Sequence, residues 1–96
     1  MQKLKKEEFQ KILDTKQDVE IIDVREEYEY EELNIGGKNI PLNEVMKNLD
    51  KINTNKPIIF CCNSGRKAAA IAHTLAKKTG LKNVFTVEVG VSAFMS

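Results

Sequence analysis

The residues best placed to do chemistry in this chain are Cys62-Asn63-Ser64-Gly65-Arg66-Lys67. The apolar run Pro57-Ile58-Ile59-Phe60-Cys61 ahead of them reads as a short buried strand, opened by a proline where a first-strand residue can lack an N–H. Ala68-Ala69-Ala70-Ile71-Ala72 behind them is dense in strong helix formers. A cysteine at the carboxyl end of a strand, then a glycine-containing loop, then a helix start, makes a cradle for an anion. Successive loop N–H groups can converge on one point, and the helix dipole adds partial positive charge there. The same field favours the thiolate of Cys62 over its thiol, so Cys62 is a candidate nucleophile. Cations are unfavourable at a helix amino terminus. Arg66 and Lys67 in that position therefore imply an anionic ligand that offsets them, with Asn63, Ser64 and Gly65 completing the binding loop.

Other reactive side chains read differently. Cys61, the last residue of the strand, should point to the opposite sheet face from Cys62 and serve as core packing. His73, the single histidine, falls nearly opposite the apolar stripe of Ala68, Ile71, Ala72 and Leu75 at about 3.6 residues per turn, so it should face solvent and gives no support to a Cys–His dyad. A cysteine phosphatase would need an arginine where Ala68 stands, because its loop wraps a whole phosphoryl group. This loop is one residue short and suits a sulfur atom better. Adjacent cysteines cannot form the Cys-x-x-Cys of a thioredoxin-type redox site, and two cysteines with one histidine are too few ligands for a structural zinc. A metal or organic cofactor is not expected.

The elements that must carry the loop alternate in type. Glu7 to Leu13, with Phe9, Ile12 and Leu13 at helical spacing, predicts a short amphipathic helix. Val19-Glu20-Ile21-Ile22-Asp23-Val24 predicts a buried strand. Glu26 to Leu33 is charge-rich and reads as a loop or frayed helix. Gly36-Gly37 marks a turn, and Asn39-Ile40-Pro41 a very short strand. Leu42, Val45, Met46 and Leu49 recur at helical spacing and predict a second helix. A helix from about Lys67 to Lys78 ends at the C-cap candidate Gly80; Val84-Phe85-Thr86-Val87 is the last strand, and Gly90 to Phe94 one closing helical turn. This order predicts a parallel sheet covered on both faces, with the site at the strand carboxyl ends, where Cys62 falls.

Composition bounds the partners. Ninety-six residues, 42% hydrophobic and 30% charged, can build one modest core, and a single domain over residues 1–96 is expected. A formal net charge of +1 argues against a nucleic-acid binder held by bulk electrostatics. The opening residues offer no apolar core for a signal peptide, and no apolar run approaches the roughly 18 residues of a membrane span. Two adjacent cysteines make a poor disulfide framework and fit a reducing compartment, so a cytoplasmic protein is expected.

Four segments then meet a known pattern. Ile22-Asp23-Val24-Arg25-Glu26 resembles the I-D-V-R-E strand end of the single-domain rhodanese-like sulfurtransferases. Asn34-Ile35-Gly36-Gly37 with Asn39-Ile40-Pro41-Leu42 resembles their H-I-x-G-A…N-I-P-L connection. Cys62 to Ala68 resembles their C-R-x-G-x-R-[SA] active loop, and Glu88 to Phe94 their E-G-G-hydrophobic-x-x-W ending. The four lie in the family's order and cover roughly Val19 to Phe94. The resemblance implies a rhodanese-like α/β fold with about five short strands and helices on both faces. It also implies a double displacement. Cys62 takes the sulfane sulfur of a donor such as thiosulfate or a persulfide, then passes it to a thiol or cyanide acceptor, either partner being a small molecule or a protein. Asp23 and Arg25 are similar to family residues that brace the loop, Arg25 with a substrate-binding role and Asp23 as structural support. Departures fall at Asn63 and Lys67, both often arginine in the family, and at Asn34, Val89 and Phe94. Lysine keeps the charge of arginine but loses its two-pronged donor geometry, which predicts weak binding of an oxyanion donor. The alternative from another class is a binding or regulatory rhodanese-like module without turnover; such modules commonly lose the cysteine that this chain retains.

Overall fold

The computed structural model describes residues 1–95. Five strands, β1 (Gln2–Leu4), β2 (Glu20–Asp23), β3 (Lys38–Asn39), β4 (Ile58–Cys61) and β5 (Val84–Val87), form one sheet in the order β1-β5-β4-β2-β3. Every pairing is parallel, and β4 lies at the centre between β2 and β5. Three α-helices, α1 (Lys6–Asp14), α2 (Glu27–Glu32) and α3 (Arg66–Thr79), run between strands, with short 3-10 segments at Leu42–Lys47, Leu49–Lys51 and Val91–Phe94.

The period-two alternation of β4 divides the core. Ile58, Phe60 and Cys62 face a cluster with Ile22, Val24, Val45 and, from α3, Ala68, Ile71, Ala72 and Leu75. Ile59 faces the other side, with Phe9 of α1 and Val87, against which Ile12, Leu13 and Phe94 also pack. The rings of Phe9 and Phe94 meet edge to face at 5.0 Å, a favoured aromatic geometry. Both faces are thus covered, as the alternating elements require, and all four residues of β4 are buried.

Three local differences from the sequence reading have physical causes. β1 had no sequence signal because it is three residues long, exposed along most of its length and charged at Lys3, the pattern of an edge strand. Glu26 to Leu33 is a regular helix over Glu27–Glu32, although each of its residues is exposed or half-buried. Its stability comes from its ends. The Glu26 N–H donates to Glu29 Oε1 at 3.1 Å, and Arg25 Nη2 donates to the Leu33 carbonyl at 2.7 Å. The helix expected from Leu42 to Leu49 is instead two 3-10 segments. Asn48 Nδ2 takes the Glu44 carbonyl at 2.7 Å, the acceptor an α-helix would give to the Asn48 N–H, which turns to Val45 O at 3.0 Å. Val45 is still buried, with Leu42, Met46 and Leu49 packed on the same core.

Candidate functional site

Cys62 sits where β4 ends and before α3 begins. Its carbonyl accepts the Val91 N–H at 2.9 Å, which ties the strand end to the closing 3-10 segment. Its Sγ accepts two backbone N–H groups, from Gly65 at 3.1 Å and Ala68 at 3.3 Å. Gly65 is the N-cap residue of α3, in the left-handed region at φ +87°. Sulfur therefore occupies the place where a capping oxygen would satisfy the first free amides of a helix. The loop can wind this way because a glycine supplies the left-handed turn. A Cβ at Gly65 would also lie 3.2 Å from the Val87 carbonyl. Gly90 serves the loop from outside, since a Cβ there would overlap the Asn63 carbonyl.

Cys62 lines a pocket of about 190 Å³, walled also by Val24, Arg25, Glu26, Glu29, Leu42, Asn43, Asn63, Ser64 and Lys67. This is well below the ~300–1,000 Å³ of sites for larger organic ligands, so it suits a small group. Of the loop residues singled out in the sequence, Asn63, Ser64 and Lys67 stand in this wall. Gly65 contributes its amide and its turn. Arg66 is exposed and lies outside the pocket wall.

Asp23 and Arg25 form a buried pair. Arg25 Nε donates to both Asp23 oxygens at 3.1 Å, and Nη2 to Oδ2 at 2.9 Å. The Arg25 N–H adds a bond to Oδ1 at 2.9 Å. Asp23 is fully buried and is not part of the pocket wall, whereas Arg25 stands in it. The guanidinium spans the Asp23 carboxylate and the end of α2, so this pair anchors the helix that forms one side of the pocket.

Cys61 behaves as a structural thiol. It is buried, with Sγ 3.8 Å from the Ile22 carbonyl. Burial pushes its pKa up, and the nearby Asp23 charge adds to the shift. Cys61 thus stays protonated at neutral pH. His73 is exposed on α3, away from the pocket wall.

Sequence reasoning missed the α2 side of the pocket. Glu29 accepts from Asn63 Nδ2 at 2.7 Å through Oε2 while its Oε1 caps α2. The Glu26-x-x-Glu29 spacing hinted at the cap. The bond to Asn63 joins residues 34 apart and left no local signal. The Asn63 donation, then the Glu26 N–H, holds the Glu29 carboxyl below its ordinary range, with Arg25 and Lys67 adding Coulombic pull.

A five-stranded parallel sheet whose central strand ends in a cysteine held by loop amides defines the class as rhodanese-like. The family description "Rhodanese-like domain" matches residues 5–96, and the chain belongs to that family. It is 41% identical over 86 residues to YrkF of Bacillus subtilis (strain 168), a proposed sulfur carrier protein, covering 88% of this chain and 46% of that protein. The chain spans about half the length of the curated relatives it matches. Among solved structures, SSP1007 from Staphylococcus saprophyticus superposes with a TM-score of 0.82 at 25% identity, over 100% of this chain and 99% of that one. A NAD-dependent persulfide reductase from A. fulgidus matches with a TM-score of 0.72 at 29% identity, over 94% of this chain but 15% of its own.

Proposed function

We propose that this protein is a sulfurtransferase in which Cys62 carries a sulfane sulfur between a donor and a thiol or cyanide acceptor. The observation that carries the reading is the pair of amide bonds to Sγ of Cys62, a residue that lines a small pocket. In the first half-reaction the Cys62 thiolate attacks the outer sulfur of the donor. The new S–S bond forms as the donor's own bond to that sulfur breaks, and the leaving group departs with the bonding pair: sulfite from thiosulfate, a thiolate from a persulfide. Net charge is conserved, and the persulfide left on Cys62 is anionic at its outer sulfur. Loop N–H groups and the α3 amino terminus stabilise that anion as an oxyanion hole stabilises oxygen. In the second half-reaction an acceptor thiolate or cyanide attacks the outer sulfur, and Cys62 returns as thiolate. Arg25 orients the pocket wall, Asp23 supports it, and Asn63, Ser64 and Lys67 contact the donor. Arg66 contributes its charge at the first turn of α3.

Mass spectrometry of the intact protein after incubation with thiosulfate, mercaptopyruvate or a small persulfide tests this. Cys62 should gain the mass of one sulfur atom and lose it to cyanide or a thiol. Cys62→Ser should abolish the adduct and turnover, while Cys61→Ser should retain at least half of wild-type turnover. Equal loss in both variants would point instead to a dithiol mechanism, and an unmodified Cys62 with every donor would assign the domain to binding without turnover.

A further inference from the structure

The pocket wall carries charges of both signs, and their pairing is uneven. Its two cations among the described residues are Arg25 and Lys67, and its two carboxylates are Glu26 and Glu29. Arg25 is already engaged by Asp23, held at 2.9 Å and fully buried. Lys67 is exposed and sits within Coulombic reach of Glu29. The mouth that an approaching donor meets is therefore not the cationic funnel that the basic loop suggests. Glu29 also has a mechanical place there, because its two oxygens join the amino end of α2 to Asn63, the residue next to the nucleophile.

We propose that Glu29 is a positioning and specificity-determining residue: it anchors Asn63 beside Cys62, and its charge disfavours dianionic donors relative to neutral or cationic persulfides. The inference rests on the sulfur-transfer reading for its donors, while its electrostatic part concerns access to Cys62 by any charged reagent. Strut and charge are separated by substitution. Glu29→Gln removes the charge and keeps both bonds when its oxygen accepts from the Glu26 N–H and its amide nitrogen donates to the oxygen of a flipped Asn63 side chain. Glu29→Ala removes the charge and the bonds.

Two readouts in the full chain with Cys61→Ser test this. The first is the rate of Cys62 alkylation by iodoacetate, an anion, against neutral iodoacetamide. Removing one unit charge several ångströms from the reagent's path should raise the iodoacetate-to-iodoacetamide ratio about threefold at low salt. The gain should vanish near 1 M salt, where the screening length falls to roughly 3 Å. The second is turnover of thiosulfate against cysteamine persulfide. Glu29→Gln should raise the thiosulfate-to-persulfide ratio of kcat/KM by more than threefold, because thiosulfate carries two charges. Glu29→Ala should lower kcat with both donors, and Glu29→Gln should restore it. An alkylation ratio unchanged in Glu29→Gln overturns the charge role, and a kcat unchanged in Glu29→Ala overturns the strut. If no donor loads sulfur onto Cys62 but the alkylation ratio still shifts with Glu29→Gln, the sulfur-transfer reading fails while the charge gate stands.

Discussion

At Cys62 and Cys61, adjacent thiols meet opposite environments, and the difference comes from strand alternation at a strand end. Cys62 turns to the α3 face, where two amides bond its sulfur. Cys61 is buried beside the Asp23–Arg25 pair, and that burial raises its pKa. Iodoacetamide should accordingly label Cys62 in the folded protein and Cys61 only after unfolding, which peptide mapping would show. Lys67 makes a second comparison. It stands in the pocket wall where the family loop usually has arginine, and a lysine offers a single ammonium where arginine offers a fork matched to an oxyanion. Lys67→Arg should raise kcat/KM for thiosulfate several-fold, mainly through KM. A weaker response to thiosulfate in that variant would overturn the argument from the missing fork.

Among the elements, the active loop depends on neighbours far from it in sequence. Gly65 takes a left-handed turn that L side chains rarely adopt, and the segment from Val87 to Gly90 packs directly on the loop backbone. Gly65→Ala should cost about 1–3 kcal/mol of stability from backbone strain alone. It should also displace the amide that holds the Cys62 sulfur, so turnover should fall by more than tenfold while circular dichroism stays native. In the sequence Gly90 opens the closing turn and belongs to the family-like ending from Glu88 to Phe94. The structure adds that a side chain there would collide with Asn63. Helix α2 shows the same dependence in reverse. It buries little and is held at its two ends by Glu29 and Arg25, both of which stand in the pocket wall.

Across the fold, a buried carboxylate fastens β2 to the segments that pass beneath it. Glu20 accepts from Lys38 Nζ and from the Asn53 N–H, each at 2.7 Å, and Lys38 also reaches the Lys51 carbonyl at 2.8 Å. Burial alone would raise the Glu20 pKa, but the Asn53 and Lys38 bonds outweigh it and the pKa is lowered from 4.5. A carboxyl that titrates lower when folded favours the native state above its unfolded pKa, and that contribution is lost as pH falls through the folded value. Stability should therefore decline as pH drops below 4.5. Glu20→Gln should cost about 1–3 kcal/mol at neutral pH and show a flatter acid decline, measured by denaturant unfolding across pH. An identical acid decline in the variant would assign the loss to other carboxylates.

Much of this was legible in the chain itself. The Pro57–Cys61 run, the alanine-rich helix and the glycine between them place a candidate nucleophile at a strand end because strand and helix signals are local, set by periodicity and propensity within a few residues. The four family-like segments identified the fold for the same reason, since each is a contiguous motif. Three other features needed the tertiary structure: β1, which forms only by pairing with β5; the 3-10 segments where Asn48 takes a helix carbonyl; and the Glu29–Asn63 contact. Each depends on a partner distant in sequence or on a side chain competing for a backbone group, and neither leaves a periodic trace. The candidate cysteine was therefore readable from its own neighbourhood. The charge of the pocket it serves was decided by the packing of α2 against the loop.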